Sequence, residues 1–134
     1  MKLDTTSLGN AVQRLREGLA RHAQAAGDEQ LRDGLIQRFE FTYELSHRML
    51  RRYLMQTAPS PEEVAGLAFA DLIRAANALG LLRGDWQAWR GYREMRSRSS
   101  HTYDAGVAAE IVAAIPAFLA EAEHLLAELE RRLA

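Results

Sequence analysis

The chain has no cysteine, three prolines and nine glycines in 134 residues, and its only lysine is Lys2. Without cysteine there is no disulfide framework and no thiolate zinc site. There is no G-x-G-x-x-G and no lysine-bearing P-loop, so a phosphate cradle of either kind is excluded. No two aspartates stand as D-x-D, the carboxylate pair that would hold magnesium for nucleotidyl transfer, so the chain is not itself a nucleotidyltransferase. No run approaches the ~18 apolar residues of a membrane span, and the N-terminus lacks the apolar core of a signal peptide. These absences predict a soluble cytoplasmic protein with no membrane role. The formal net charge of −1 excludes nucleic-acid binding by bulk electrostatics, so any RNA contact has to be local.

What is present reads as one globular domain over residues 1–134, with 48% hydrophobic and 26% charged residues. Leu8, Val12, Leu15, Leu19 and His22 recur at steps of three and four, drawing one stripe on a first helix that begins between Asp4 and Ser7. Gly27-Asp28 ends it. A second helix over 29–56 carries Leu31, Leu35, Phe39, Tyr43, Leu50 and Leu54 on one side, with its aromatics in the core. Ser60-Pro61-Glu62-Glu63 starts a third segment, in one or two pieces, that runs through Leu72, Ile73, Ala76 and Leu79 to Gly80. Asp85 caps a fourth helix with Trp86, Trp89, Tyr92 and Met95 on one face. Ile111, Ile115, Phe118, Ala122, Leu125 and Leu129 form a narrow seam on a fifth helix starting near Asp104 or Ala105, with a kink expected at Pro116. No segment reads as a strand. The fold class is therefore all-α, an antiparallel up-and-down bundle of four to five helices.

Chemistry concentrates in one stretch, Arg96-Ser97-Arg98-Ser99-Ser100-His101-Thr102-Tyr103-Asp104. From Arg83 to Arg98 five arginines oppose only Asp85 and Glu94. Serines compete with a helix for backbone hydrogen bonds, so the fourth helix is expected to fail across Ser97 to Ser100. The break matters, because on a continuous helix residues five apart sit about 140° apart and Arg96 and His101 could not converge. Metal-free RNA cleavage needs a base for the 2′-hydroxyl proton, an acid for the departing 5′-oxygen and a cation for the phosphorane. Imidazole can take either proton role and a guanidinium grips phosphate through two N–H groups. One His101 per chain supplies half of the acid–base pair, so this chemistry requires a two-fold dimer with the stretches apposed. The competing reading is structural: Arg96 pairs with an acid such as Glu94 or Asp104, His101 caps a helix end, and Tyr103 packs its ring. His22, His47 and His124 stand on separate helices in solvent or core, and Arg48, Arg51 and Arg52 read first as a solvated helix face. No metal ligands and no cofactor site are evident.

Two segments carry a resemblance. Ile36-Gln37-Arg38-Phe39-Glu40-Phe41-Thr42-Tyr43-Glu44-Leu45 on the second helix and Ser100-His101-Thr102-Tyr103-Asp104 after the fourth resemble the "nucleotidyltransferase substrate-binding" proteins, HEPN-type helical bundles that include HepT-like toxin subunits. The likeness covers about residues 8 to 130 and takes in the Ser60-Pro61 helix start and the Gly80-Leu81-Leu82 turn. It implies an antiparallel HEPN bundle that forms a homodimer and works beside a small, separately encoded nucleotidyltransferase, often as a toxin–antitoxin pair. In related HEPN toxins an R-x4-H-x-Y motif is the ribonuclease site, and the partner silences it by attaching AMP to the tyrosine. Carried over, Arg96 and His101 are catalytic, Tyr103 is the AMP acceptor, and Ser97, Arg98, Ser100 and Asp104 support the groove. Ser97 stands where the family commonly has asparagine, and His47 where tryptophan is usual. The older family name implies a different task, a non-catalytic subunit that recruits a nucleotide or other substrate to the transferase.

Overall fold

The computed structural model describes residues 3–134. Among them it has six α-helices, one 3-10 turn and no strand: α1 (Thr6–Gln24), α2 (Glu29–Thr57), α3 (Pro61–Ala65), α4 (Phe69–Ala78), α5 (Trp86–Arg98), the 3-10 turn Ser99–His101, and α6 (Ala105–Leu133). Three aspartates cap helices, Asp85 as the sequence predicts. The carboxylate of Asp28 accepts from the backbone N–H groups of Gln30 and Leu31, Asp85 from Ala88, and Asp104 from Gly106 and Val107. Each satisfies donors that the first helical turn leaves without partners. Ser60 makes no such side-chain bond, and Pro61 alone marks the start of α3. The expected third segment divides at Gly66-Leu67-Ala68 into α3 and α4.

α1 and α2 are joined by residues 25–28 and run antiparallel, since Arg38 donates to the carbonyl of Arg14 while Thr42, further along α2, reaches back to Ala11. α5 and α6 form a second antiparallel pair, linked by Trp89–Glu121 at one end and Arg98–Glu110 at the other. Leu8, Val12, Leu15, Leu35, Phe39, Leu50, Leu72, Ile73 and the whole seam Ile111, Ile115, Phe118, Ala122, Leu125, Leu129 are buried in a single core. Phe118 lies at its centre, with ring centroids of Phe39, Trp89 and Tyr92 at 5.1, 5.9 and 5.2 Å in edge-on contact.

Several local expectations change. Phe41, on the aromatic-rich second helix, is 57% exposed, and Leu79, assigned to the third apolar stripe, is 52% exposed. The fourth helix does end inside the expected Ser97–Ser100 range: α5 stops at Arg98 and tightens into the 3-10 turn. The competition expected of serine acts at Ser99, which donates its hydroxyl to the carbonyl of Arg96 at 2.7 Å. The expected kink site, Pro116, stands inside α6 on its exposed side, where water can take the carbonyl that loses its N–H partner. By length and composition α6 is also apolar enough to cross a membrane, which the reading of the sequence by apolar runs did not register. Its long side chains Ile111, Ile115, Phe118, Leu119 and Leu125 are nonetheless buried in the bundle, and much of its exposed side is alanine: 109, 113, 117 and 120. That is the pattern of a core helix.

Candidate functional site

Arg96 leaves α5 toward α2. Its Nε donates to Oε1 of Glu44 at 3.0 Å, and its Nη1 lies 3.4 Å from Oε2 of Glu40 and 3.4 Å from Oγ of Ser99. These contacts fix the guanidinium plane, and none of them uses Nη2. Arg96 is thus paired with acids, but with two on α2, one helical turn apart, rather than with Glu94 or Asp104. Both belong to the Ile36–Leu45 segment, where acids at i and i+4 on the edge of a buried stripe were the available signal. Nothing in the sequence marked their partner.

His101 closes the 3-10 turn and is exposed. Its Nδ1 lies 3.5 Å from the hydroxyl of Tyr103, and the two rings meet edge-on with centroids 5.9 Å apart. Tyr103 is 86% exposed, whereas Tyr43 is buried and Tyr53 and Tyr92 are half-buried. Burial pushes the Tyr43 hydroxyl up to about 12 and raises that of Tyr92, with the Glu121 charge adding to the latter. Of the four tyrosines, Tyr103 is the one a large reagent can reach.

The turn itself is held from three directions. Asp104, and not His101, caps the next helix, while its own N–H donates to the carbonyl of His101 at 3.1 Å. Arg32, on the first turns of α2, donates to the carbonyl of Thr102 at 3.3 Å, a support that sequence reasoning missed. Arg98 turns to the other side of α5 and pairs with Glu110 of α6 at 2.6 Å. Ser100 is exposed on the 3-10 turn, and Ser97 is exposed on the last turn of α5. The structure therefore groups His101 with Tyr103, and Arg96 with Glu44, Glu40 and Ser99. No hydrogen bond, ion pair or ring contact among the described residues joins Arg96 to His101.

The remaining singled-out residues serve packing. Arg51, read as part of a solvated face, donates to the carbonyls of Val64 at 2.9 Å and Leu67 at 3.1 Å and so fastens the end of α3 to α2. His124 bonds the carbonyl of Gly80 at 3.1 Å. Glu121 and Glu123, two apart on α6, point different ways: Glu123 reaches Arg16 at the surface, and Glu121 is buried. Glu121 accepts from the Trp89 indole N–H at 2.7 Å and from the backbone N–H groups of Arg83 and Gly84 at 3.0 and 2.9 Å. His47 packs edge-on against Phe69, and burial together with the Arg51 charge holds its imidazole below the usual histidine range.

The family model described as "Nucleotidyltransferase substrate binding protein like" matches residues 3–131. A Haemophilus influenzae protein named "Probable ribonuclease HepT" is 43% identical over 99 residues, which cover 74% of this chain and 67% of that protein. Among solved structures, a Haemophilus influenzae protein described as having the fold of a substrate binding domain of a nucleotidyltransferase superposes with a TM-score of 0.88. It is 34% identical to this chain, over 95% of it and 99% of its own length. A crystal structure of a Thermus thermophilus protein matches at TM-score 0.64 and 31% identity, over 86% of this chain and 98% of that one. The helical architecture, the quoted segments and these matches agree: the chain belongs to the nucleotidyltransferase substrate binding protein family.

Proposed function

We propose that the chain is the HEPN subunit of a two-component toxin–antitoxin system, a metal-independent ribonuclease whose partner is a separately encoded small nucleotidyltransferase. The observation that carries this reading is the turn at the end of α5, which presents His101 and Tyr103 side by side in solvent, with an oriented Arg96 in the last turn of α5. In a homodimer with two such turns apposed, one His101 takes the 2′-hydroxyl proton as that oxygen attacks phosphorus. The other gives a proton to the departing 5′-oxygen, and Arg96 offsets the phosphorane charge. The products are a 2′,3′-cyclic phosphate and a free 5′-hydroxyl. Ser97, Arg98, Ser100 and Asp104 shape the groove or hold the turn. For silencing, the Tyr103 hydroxyl attacks the α-phosphorus of ATP, pyrophosphate leaves and the phenolic proton passes to solvent. The AMP so attached puts bulk and negative charge beside His101, where RNA phosphate has to lie. Both substrates place this activity in the cytoplasm.

The test is incubation of the purified chain with single-stranded RNA in EDTA, followed by analysis of the fragment ends. Cyclic phosphate ends that disappear in both Arg96→Ala and His101→Ala support the reading, and RNA left intact by folded wild-type dimer overturns it. A second reading, a non-catalytic subunit that recruits a nucleotide or acceptor to the transferase, is favoured by the description of the structural relative as a substrate binding domain. It predicts partner activity that depends on this chain and is indifferent to His101→Ala.

A further inference from the structure

Beside Arg96, between α2 and α5, lies a recess of about 250 Å³. Tyr43, His47 and Phe69 form its wall, and Glu44, Arg93 and Arg96 its charged edge, with Ser97 at the end of α5. We propose that this recess is a base subsite. It receives one nucleobase of the RNA strand whose phosphate is held at Arg96, with Phe69 and His47 as the stacking wall and Arg93 on the flanking phosphate. The inference rests on the ribonuclease reading for its substrate.

Three features favour a base over other occupants. The rings of His47 and Phe69 meet edge-on at 67° with centroids 4.5 Å apart, so the recess is walled by aromatic rings, the kind of surface that tolerates any base. The Arg93 guanidinium stands 5.3 Å from the Phe69 centroid, a position from which it can stack on a base and reach phosphate, so the pocket pairs π surface with two cations. Its volume falls below the ~300–1,000 Å³ of ordinary small-molecule pockets, so a ring enters while sugar and phosphate stay outside with the arginines. His47 adds a reason of its own. Its Nε2 is a buried polar atom without a partner among the described residues, and a turn of the ring toward the recess would let the polar edge of a base satisfy it.

The experiment titrates the purified chain with uridine and adenosine 5′-monophosphates and with a short single-stranded oligoribonucleotide, followed by amide chemical-shift changes. Saturable shifts at Phe69 and Arg93 are expected, with the oligonucleotide binding more tightly than either mononucleotide. Arg93→Gln removes the exposed cation, and His47→Trp fills the recess. Each should weaken binding by about tenfold or more, with circular dichroism confirming that the variant is folded. If RNA is bound in this way yet never cleaved, the ribonuclease reading falls and the subsite stands. Absence of saturable binding by the wild-type chain, or binding that folded Arg93→Gln and His47→Trp leave unmoved, overturns the subsite.

Discussion

Glu44 accepts a hydrogen bond from Arg96 at 3.0 Å, tying the middle of α2 to the last turn of α5 across 52 residues of sequence. The pair orients the guanidinium and at the same time lowers the net positive charge that an RNA phosphate meets. Glu44→Gln keeps an acceptor and removes the charge. The expected outcome is a lower KM for RNA, because repulsion is relieved, together with a lower kcat, because the weaker bond holds Arg96 less firmly. Steady-state cleavage kinetics read both. Unchanged KM and kcat would mean that Arg96 does not hold phosphate.

Glu121 presents the second test, this one of stability. Its buried carboxylate serves the Trp89 indole and the backbone N–H groups of Arg83 and Gly84. Glu121→Ala leaves all three donors without a partner and should cost about 3 kcal/mol or more in urea unfolding, with Glu121→Gln losing less. Equal, small losses in both variants would show that water replaces the carboxylate freely.

The Asp104 cap predicts a smaller effect. Asp104→Ala removes the acceptor for Gly106 and Val107 at the start of α6 and should destabilise the fold by about 1 kcal/mol. The same substitution frees the turn that carries His101, so cleavage should fall by more than the loss of folded protein explains. Parallel urea and kinetic measurements separate the two.

His47 gives the chain a pH-dependent stability. Burial lowers its folded-state value below 6.5, as does the Arg51 charge, while Glu44 opposes and Arg93 assists the shift. The unfolded chain therefore binds the proton more readily. Stability from this group is complete above 6.5 and is lost as pH falls from there through the lowered folded value. Thermal melts of the wild-type chain and His47→Phe, which shares every other histidine, should diverge across that window, with the variant showing the flatter profile. Parallel profiles would mean that His47 is protonated equally in both states.

Much of the fold was legible because helices report themselves locally. The steps of three and four in Leu8-Val12-Leu15 and in Ile111 through Leu129 are satisfied within one helix and one core face, and Asp28, Asp85 and Asp104 act within three residues of themselves. The places where the reading missed are long-range. Arg51 lies on a stretch of α2 that looks solvated until α3 and the residues just after it fold back to offer it three carbonyls. Glu121 has no unusual neighbours in sequence, and its value comes from a loop 37 residues earlier. The site divides in the same way: the Arg96–Asp104 stretch stood out as the one place where packing logic lapses, but the acids that orient Arg96 and the Arg32 that steadies Thr102 come from another helix.

In the proposed function the turn after α5 cleaves RNA through His101 and Arg96. Its most direct measurement is the single-turnover rate on a defined RNA in EDTA, comparing wild-type protein with His101→Ala and Arg96→Ala of verified fold and dimeric state. Cyclic phosphate products are expected from the wild type, with rates lower by ~10²-fold or more in each variant. Cleavage that proceeds equally in all three proteins, or that requires a divalent metal, would contradict it.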